Sequence, residues 1–387
     1  MKKLLVFTGG GMTRALNPTL YGIISAAKKN NIKVLGGIHG WACLLDEGKI
    51  IDLSDVNIEL IKNIGGSFLR SSRTNPFNIS DGIKQVKNNL KRLDIDYIVA
   101  IGGDDTNGAA RNLWEKEKIK IIGCPKTIDN DLSATYWTPG FPSAAEAISE
   151  FVSRVKRDAA YGLKRIFVIE TLGGHAGWVA AASSYGGADV ILPPEKKFNL
   201  EKVLKIIKKK YEENHHFAVV VLTNETHFDK NIGQFKDTQK DNFGIQRHEF
   251  VAIGLKQEIE KKYNLPVKAL MPGHHVEAGN PSPIDQQFAI ELGEKAIELI
   301  KNNKFGYMPC IKRPNWKSIK IIVDSIELKK VVGKGNYRKL TSEYFDFNNL
   351  QVKNKFYDYM EPILGQYSQP DKEYYNLQKL LRNTKGL

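Results

Sequence analysis

The sequence lacks the features of several protein classes. Its three cysteines, Cys43, Cys124 and Cys310, form no metal-binding pair and cannot build a disulfide framework. No stretch approaches the roughly 18 uninterrupted apolar residues that a membrane helix requires, and the segment 1–10 is too short for a signal sequence. We therefore expect a cytoplasmic protein that resides in a reducing compartment and does not bind membranes.

Charge is abundant but is not organised for nucleic acid. The chain carries 57 Lys and Arg against 43 Asp and Glu, a net charge of +14, yet the lysines are scattered or lie on apparent helices such as 201–211. No motif that reads RNA or DNA is present. The excess therefore favours an anionic small-molecule substrate over a nucleic-acid partner.

The length and the apolar pattern indicate an α/β protein of more than one domain. With 387 residues and 42% hydrophobic content, the chain can fill two cores. Short Ile- and Val-rich runs are each followed by glycine and a helix-like segment, as in parallel sheets covered on both faces. The predicted strands are 3–8, 33–36, 97–101, 119–122, 165–170, 189–192, 217–222 and 267–270.

Helix signals fit between these strands. Asn17 followed by Pro18 predicts an N-cap and a first helical residue. Ser80 or Asp81 is expected to open a helix over 83–93, and apolar spacing predicts a long helix over 284–300.

The loop after the predicted strand 97–101 is the first with chemical content. It reads Gly102-Gly103-Asp104-Asp105-Thr106 and enters a helix. Glycines let backbone approach a ligand, the helix start offers amides to an anion, and a carboxylate there can hold a Mg²⁺ that bridges phosphates. Alternatively, the two aspartates only cap a helix that starts near Thr106.

The loop after strand 119–122 carries a phosphoryl-transfer set. Lys126 can neutralise phosphate, Thr127 can donate to it, and Asp129, with Asp131 nearby, can take a proton from an attacking hydroxyl. A purely structural turn does not need this chemistry.

Together with several other motifs, these loops resemble the PfkA-type phosphofructokinases, in particular a longer-chain, pyrophosphate-dependent subgroup from which this chain diverges in places. The motifs that carry the resemblance are 125–132 (PKTIDNDL), 65–73 (GGSFLRSSR), 102–104, 138–141, 143–145, 175–178, 241–244 and 356–365.

The resemblance implies roles for the residues of these loops. Asp129 would be the general base, Asp131 its supporting carboxylate, Thr127 a phosphate and acceptor contact, Asp104 the Mg²⁺ ligand, and Arg73 the cation that stabilises the transferring phosphoryl group. The donor would lie against Gly10, Gly11, Gly103, Asp105 and Thr106.

Two positions bear on the phosphoryl donor. Relatives that use ATP have glycine at the position of Asp105, whose bulk and charge would oppose the α-phosphate of a nucleotide. Lys126 stands where pyrophosphate enzymes have lysine, although some ATP-using relatives share it. Together these residues favour pyrophosphate.

The residues expected to bind the acceptor match the family's pattern only in part. Arg165, Glu225, Lys268 and His274 match sugar-phosphate contacts, Lys268 by charge only. Leu172-Gly173-Gly174 replaces a Met-Gly-Arg, and Glu277 stands where an arginine is usual. We expect fructose 6-phosphate as acceptor, phosphorylated on its 1-hydroxyl, and keep open another sugar, a polyol or a nucleoside. A catalytically silent regulatory subunit is a third reading.

The resemblance also implies an architecture. Two Rossmann-like lobes would flank an active cleft, with residues 1–140 and about 275–305 binding the donor, residues 141–274 binding the sugar phosphate, and residues 306–387 forming an extension packed on the core. In relatives, Arg165 and Lys268 act across an interface, so we expect a homodimer or homotetramer.

Overall fold

A computed structural model describes residues 1–46, 48–232, 235–240, 246–316, 318–331 and 337–368. The strands are β1 (Lys3–Thr8), β2 (Lys33–Gly37), β3 (Ile50–Asp52), β4 (Tyr97–Gly102), β5 (Ile121–Pro125), β6 (Ile166–Thr171), β7 (Val190–Leu192), β8 (Lys197–Phe198), β9 (Ala218–Thr223), β10 (His227–Phe228), β11 (Phe235–Lys240), β12 (Gln246–Glu249), β13 (Val267–Leu270), β14 (Tyr307–Lys312), β15 (Ile322–Glu327), β16 (Phe345–Asp346) and β17 (Gln351–Val352).

The helices lie between the strands, which confirms the α/β class. They are α1 (Leu16–Lys29), α2 (Gly82–Arg92), α3 (Asp104–Glu117), α4 (Phe141–Tyr161), α5 (Trp178–Ala182), α6 (Leu200–Glu213), α7 (Val251–Tyr263), α8 (Pro283–Lys301) and α9 (Asn354–Leu364). Among the described residues, no helix is long and apolar enough to cross a membrane.

The chain divides into two compact units. Unit 1 comprises Met1–Ser143, Gln239–Gln246 and Glu277–Arg338, and unit 2 comprises Ala144–Thr238, Arg247–Val276 and Lys339–Leu387. The segment expected to form one C-terminal extension is therefore shared. Its described residues up to Arg338 belong to unit 1, where β14 and β15 pair antiparallel, and residues 339–368 belong to unit 2.

Unit 1 is built on a sheet with the order β3-β2-β1-β4-β5. Strand β1 pairs parallel with both β2 and β4, and β5 extends the sheet parallel to β4, while β3 is antiparallel. One core contains Leu5 and Phe7 of β1, Ala100 of β4 and Leu113 of α3, all buried. The central strands are buried on both faces, which explains their unbroken apolar runs.

Unit 2 has a four-stranded sheet with the order β13-β6-β9-β7, and all its neighbours pair parallel. Val168, Val220 and Leu222 of the sheet pack with Leu204 of α6 and Leu255 of α7 in its core. Parallel pairing places every carboxyl end of these strands at one edge and every amino end at the other.

Seven of the eight predicted strands are confirmed to within one residue at each end, and β1 and β13 coincide with their predicted ranges. The eighth, β5, begins two residues and ends three residues later than predicted. The predicted start of α1 is wrong. The helix begins at Leu16 after Ala15, since the Asn17 side chain accepts from the Phe68 amide at 2.9 Å and donates to the Gly65 carbonyl at 3.4 Å. A long-range contact thus replaces the local cap. The motif at 241–244 lies outside the described residues.

Candidate active site

Three loops meet at the carboxyl edge of the unit 1 sheet. They follow β1, β4 and β5 and begin at Gly9, Gly103 and Lys126. The crossover connections change direction between β1 and β4, and open α/β sheets bind ligands at such a switch point. The Gly9 amide donates to the Ile101 carbonyl at 2.8 Å, and the Lys126 amide donates to the Gly102 carbonyl at 2.9 Å. Backbone hydrogen bonds therefore tie the three loops together.

The Lys126 side chain crosses from the β5 loop to the β1 loop. It is 3% exposed, and its ammonium donates to the Gly11 carbonyl at 2.6 Å. Gly10 has a φ of +84°, and a Cβ built there would lie 3.2 Å from Lys126 Nζ. A larger residue at Gly10 would be strained and would crowd the ammonium. Gly10 and Gly11 thus surround the buried ammonium of Lys126.

Burial and neighbouring charges act on this cation in opposite directions. Burial lowers the pKa of Lys126 to about 8, while Glu277, Asp129 and Asp131 raise it and Arg73 lowers it. A charge removed from water needs such partners. Glu277, whose role was open from sequence, therefore acts as a countercharge to Lys126 within unit 1.

The β5 loop presents Asp129 and Asp131 on either side of a fully buried Asn130. The Asp129 amide donates to Thr127 Oγ1 at 3.1 Å, and the Thr127 amide donates to the Pro139 carbonyl at 3.1 Å. Thr127 thus shapes the turn that presents Asp129.

Burial raises the pKa of both carboxyls in this loop. For Asp129, Glu277 adds to the rise, while Lys126, Thr127 and Arg73 oppose it. For Asp131, the charge of Asp129 adds most after burial, followed by that of Asp104. A carboxylate with a raised pKa is a stronger base than an exposed one, which suits proton abstraction near neutral pH.

The loop after β4 opens α3 two residues earlier than the capping alternative required. Gly103 is the N-cap residue, and Asp104 and Asp105 form the first turn, where negative charge is favourable. Asp104 is half-buried and Asp105 is exposed. Both carboxylates therefore stand at the helix start rather than before it.

Thr106, expected to contact the donor, packs behind the glycine loops. It is 5% exposed, and a Cβ at Gly9 or Gly102 would lie 2.4 Å from its side chain. Asn107, which the sequence analysis did not single out, donates to the carbonyls of Gly102 at 2.6 Å and Gly103 at 3.0 Å. Both residues thus support the loop from the protein side.

The residues at this edge fit a magnesium ion that also takes phosphate ligands. Among the described residues no cluster of three His, Cys, Asp or Glu side chains could hold a metal alone. Mg²⁺ is commonly held by one or two carboxylates together with substrate phosphates and water. Asp104, with Asp131 close enough for their charges to interact, offers that kind of incomplete set.

Two residues from a distant part of the chain complete the site, and the sequence analysis missed them. The Tyr337 hydroxyl donates to Asp104 Oδ2 at 3.1 Å. Arg338 donates from Nε to the Asn130 carbonyl at 2.8 Å. No local motif marks this pair, because its partners lie about two hundred residues earlier, as the separations of 233 and 208 positions show.

In unit 2, the acceptor-side candidates fall at two different edges of the sheet. Leu172, Gly173 and Gly174 follow β6, Glu225 follows β9, and His274 follows β13, so these five share the carboxyl edge. The Asn224 amide donates to the Thr171 carbonyl at 3.2 Å and joins the first two of these loops. Glu225 is 7% exposed, and His274 is exposed.

Arg165 and Lys268 lie toward the amino edge. Arg165 immediately precedes β6, and its guanidinium lies 5.9 Å from the centroid of the Phe167 ring. Lys268 pairs in register with Phe167. At about 3.3 Å per residue, β6 separates its two ends by roughly 17 Å. The backbones of the two cationic residues are therefore distant from Leu172–Gly174.

Comparison with known proteins covers most of the chain. Residues 3–300 match the phosphofructokinase family. The pyrophosphate–fructose 6-phosphate 1-phosphotransferase of Dictyoglomus thermophilum is 38% identical over 311 residues, or 79% of this chain and 88% of the relative. The enzyme of that name from Streptomyces coelicolor is 33% identical over 331 residues, or 85% and 96%. The structure of a pyrophosphate-dependent phosphofructokinase from Marinobacter aquaeolei has a TM-score of 0.82 and 26% identity, and covers 95% of this chain and 93% of its own.

The countercharge role of Glu277 can be tested by titration. Glu277→Gln removes a negative charge that raises the pKa of both Lys126 and Asp129, so both values should fall. NMR titration of ¹³C-labelled lysine would follow the Lys126 resonance, which should titrate below its value of about 8 in the unaltered protein. The exposed Glu294→Gln on α8 is the control. An unchanged Lys126 titration in Glu277→Gln would contradict the assignment.

Proposed function

Because the chain belongs to the phosphofructokinase family, we propose that it transfers phosphoryl from pyrophosphate to the 1-hydroxyl of fructose 6-phosphate. The observation that carries this proposal is the convergence of a buried ammonium, two carboxyls with raised pKa and a metal-type carboxylate at one sheet edge. The names of the relatives from Dictyoglomus and Streptomyces support both the donor and the acceptor.

In the proposed reaction, the sugar oxygen attacks phosphorus in line with the leaving phosphate. Asp129 accepts the proton of the 1-hydroxyl as the new P–O bond forms and the bond to the leaving orthophosphate breaks. Lys126 and Arg73 lie near Asp129 and offset the charge of the transferring group. Asp131 supports Asp129 as the neighbouring carboxyl, and the charge of Asp129 in turn raises the pKa of Asp131.

We propose Mg²⁺ as the cofactor, held by Asp104 together with the donor phosphates. When bound, the ion neutralises charge on the donor. The half-buried position of Asp104 in the first turn of α3 and the hydrogen bond from Tyr337 support this assignment.

The donor preference follows from charge. Asp105 is the second residue of α3 and lies directly beside Asp104. A nucleotide would bring its α-phosphate to a position already negative, whereas pyrophosphate has no further group to accommodate. The buried ammonium of Lys126 supplies the opposite charge that a compact anion needs.

Two observations support a second class of acceptor, one that carries no phosphate. Gly174 has a φ of +56° and no side chain, so it supplies no cation at the carboxyl edge of the unit 2 sheet. Glu277 adds negative charge near Lys126. Both features favour an uncharged hydroxyl-bearing acceptor, such as a free sugar or a polyol, over a sugar phosphate.

We also propose a homo-oligomer in which Arg165 and Lys268 of one copy bind the acceptor held by another. Their position toward the amino edge supports this, because the other acceptor residues occupy the opposite edge of the same sheet. A two-fold arrangement is the simplest that exchanges such residues.

The reaction is tested by assaying the purified chain with pyrophosphate or ATP against fructose 6-phosphate, free sugars, polyols and nucleosides. We expect pyrophosphate and fructose 6-phosphate to give the highest kcat/KM. Asp129→Asn should lower kcat by about 10²- to 10⁴-fold through loss of the base, with a smaller effect on KM. The exposed Asp55→Asn is the matched control. Turnover that appears only with another protein present would instead indicate a regulatory subunit.

Donor selectivity is tested at Asp105. Asp105→Gly removes both charge and bulk, and Asp105→Asn removes the charge alone. We expect the ratio of kcat/KM for ATP to that for pyrophosphate to rise at least about tenfold in Asp105→Gly, or about 1.4 kcal/mol. A smaller rise in Asp105→Asn would apportion charge and bulk. An unchanged ratio in both variants would refute the charge argument.

Subunit exchange of active-site residues is tested by complementation. Asp129→Asn and Arg165→Ala are each inactive at low sugar phosphate if the proposal holds. In a statistical mixture, half the dimers are mixed and one of their two sites is intact, so about a quarter of the wild-type activity should return. No recovery in a mixture shown by sedimentation to contain mixed dimers would place both residues in one copy's site.

A further inference from the structure

Tyr337 and Arg338 lie beyond the region, residues 3–300, that matches the family. They nevertheless contact two of the three loops at the carboxyl edge of the unit 1 sheet. Apart from the hydrogen bond of Tyr337 to Asp104, neither residue has a part in the proposed chemistry so far, although both make further contacts with these loops.

Arg338 donates hydrogen bonds to the β5 loop from both its side chain and its backbone amide. Its Nε donates to the Asn130 carbonyl at 2.8 Å, and one terminal nitrogen donates to the carbonyls of Thr135 at 2.7 Å and Tyr136 at 2.5 Å. The other terminal nitrogen donates to Asn130 Oδ1. The Arg338 amide donates to the Asp131 carbonyl at 2.7 Å.

Asn130, which accepts two of these hydrogen bonds, determines the directions in which the side chains of Asp129 and Asp131 point from the backbone. Asn130 is fully buried and adopts a φ of +56°, and its Oδ1 also accepts the Thr138 amide at 3.1 Å. Asp129 and Asp131 flank it directly. A left-handed residue between two carboxylates fixes the directions in which they leave the backbone, so its hydrogen bonds control the geometry of the base.

Tyr337 reaches the neighbouring loop. Its hydroxyl donates to Asp104 Oδ2 at 3.1 Å, while its backbone pairs antiparallel with Leu132. Burial and the nearby carboxylates raise the pKa of Tyr337 to about 12, which keeps the hydroxyl protonated and able to donate. The segment Tyr337-Arg338 therefore forms hydrogen bonds both with Asp104 and with the loop that carries Asp129 and Asp131.

We propose that Tyr337-Arg338 is the positioning element of the active site, which holds the metal-binding Asp104 and the loop of Asp129 and Asp131 in their reactive arrangement. This proposal rests on the proposed phosphoryl transfer. Neither residue is assigned contact with substrate. Each acts through the group that it orients.

Arginine is specifically suited to this position. Its planar guanidinium offers five donors in a fixed fork, and the contacts here use nitrogens on both arms and Nε. Lysine has the charge but only one nitrogen, so it cannot span Asn130 and Thr135 together. Displacement of a reacting group by about 1 Å can cost about 100-fold in rate.

The Arg338 contacts are tested with Arg338→Met and Arg338→Lys, using Lys339→Met as the adjacent control. In both Arg338 variants we expect amide hydrogen exchange over residues 126–138 to accelerate, kcat to fall about 10- to 100-fold, and KM for pyrophosphate to stay within about threefold. Lysine should not restore kcat, because it lacks the fork. Wild-type kcat and exchange in Arg338→Met would overturn the proposal.

The Tyr337 contact is tested independently of turnover. Tyr337→Phe keeps the ring and removes the donor, and Mn²⁺ binding in the presence of imidodiphosphate can be followed by electron paramagnetic resonance. Loss of an outer hydrogen bond should weaken Mn²⁺ binding about tenfold. Unchanged binding would overturn this half of the proposal. If the wild-type chain shows no turnover, the proposed function fails, whereas hydrogen exchange and Mn²⁺ binding still decide the positioning role.

Discussion

The buried ammonium of Lys126 is the interaction on which the arrangement of unit 1 depends. A charge that is 3% exposed is stable only where hydrogen bonds and opposite charges replace its water. The Gly11 carbonyl supplies the hydrogen bond at 2.6 Å, and Asp129 and Glu277 supply the charges. Gly10 leaves room for this side chain, since a Cβ there would lie 3.2 Å from the ammonium. The first and last of the three loops are thereby fixed against each other.

The same burial sets the chemistry of the carboxylates. It raises the pKa of Asp129 and Asp131 and lowers that of Lys126, so all three shifts have one principal cause. Each group in turn limits the shift of its opposite, because the ammonium favours the carboxylate form and the carboxylates favour the ammonium. The balance leaves a base that is more basic than an exposed aspartate beside a cation that is still charged near neutral pH.

Sequence alone could locate the strands and the loops, because these depend on short-range signals. Apolar runs marked β1 and β13 at their observed bounds, and the residues after β4 and β5 carried recognisable chemistry. Prediction from sequence failed where a contact with a distant part of the chain decides the role of a residue. Asn17 bonds to Phe68 instead of capping its helix, and Arg338 reaches Asn130 across 208 positions. Partners this far apart in the sequence form no motif with a fixed spacing, so a single sequence does not identify them.

The polarity of a parallel sheet explains why the residues expected to bind the acceptor fall at two different edges. Every loop that follows a strand of unit 2 reaches the carboxyl edge, which accounts for Gly174, Glu225 and His274. A residue that precedes a strand, as Arg165 does, must start at the other edge, and its guanidinium stays over Phe167. No side-chain rotation moves its backbone across roughly 17 Å. This position of Arg165 is the observation that supports the proposal of a second copy presenting it to the acceptor.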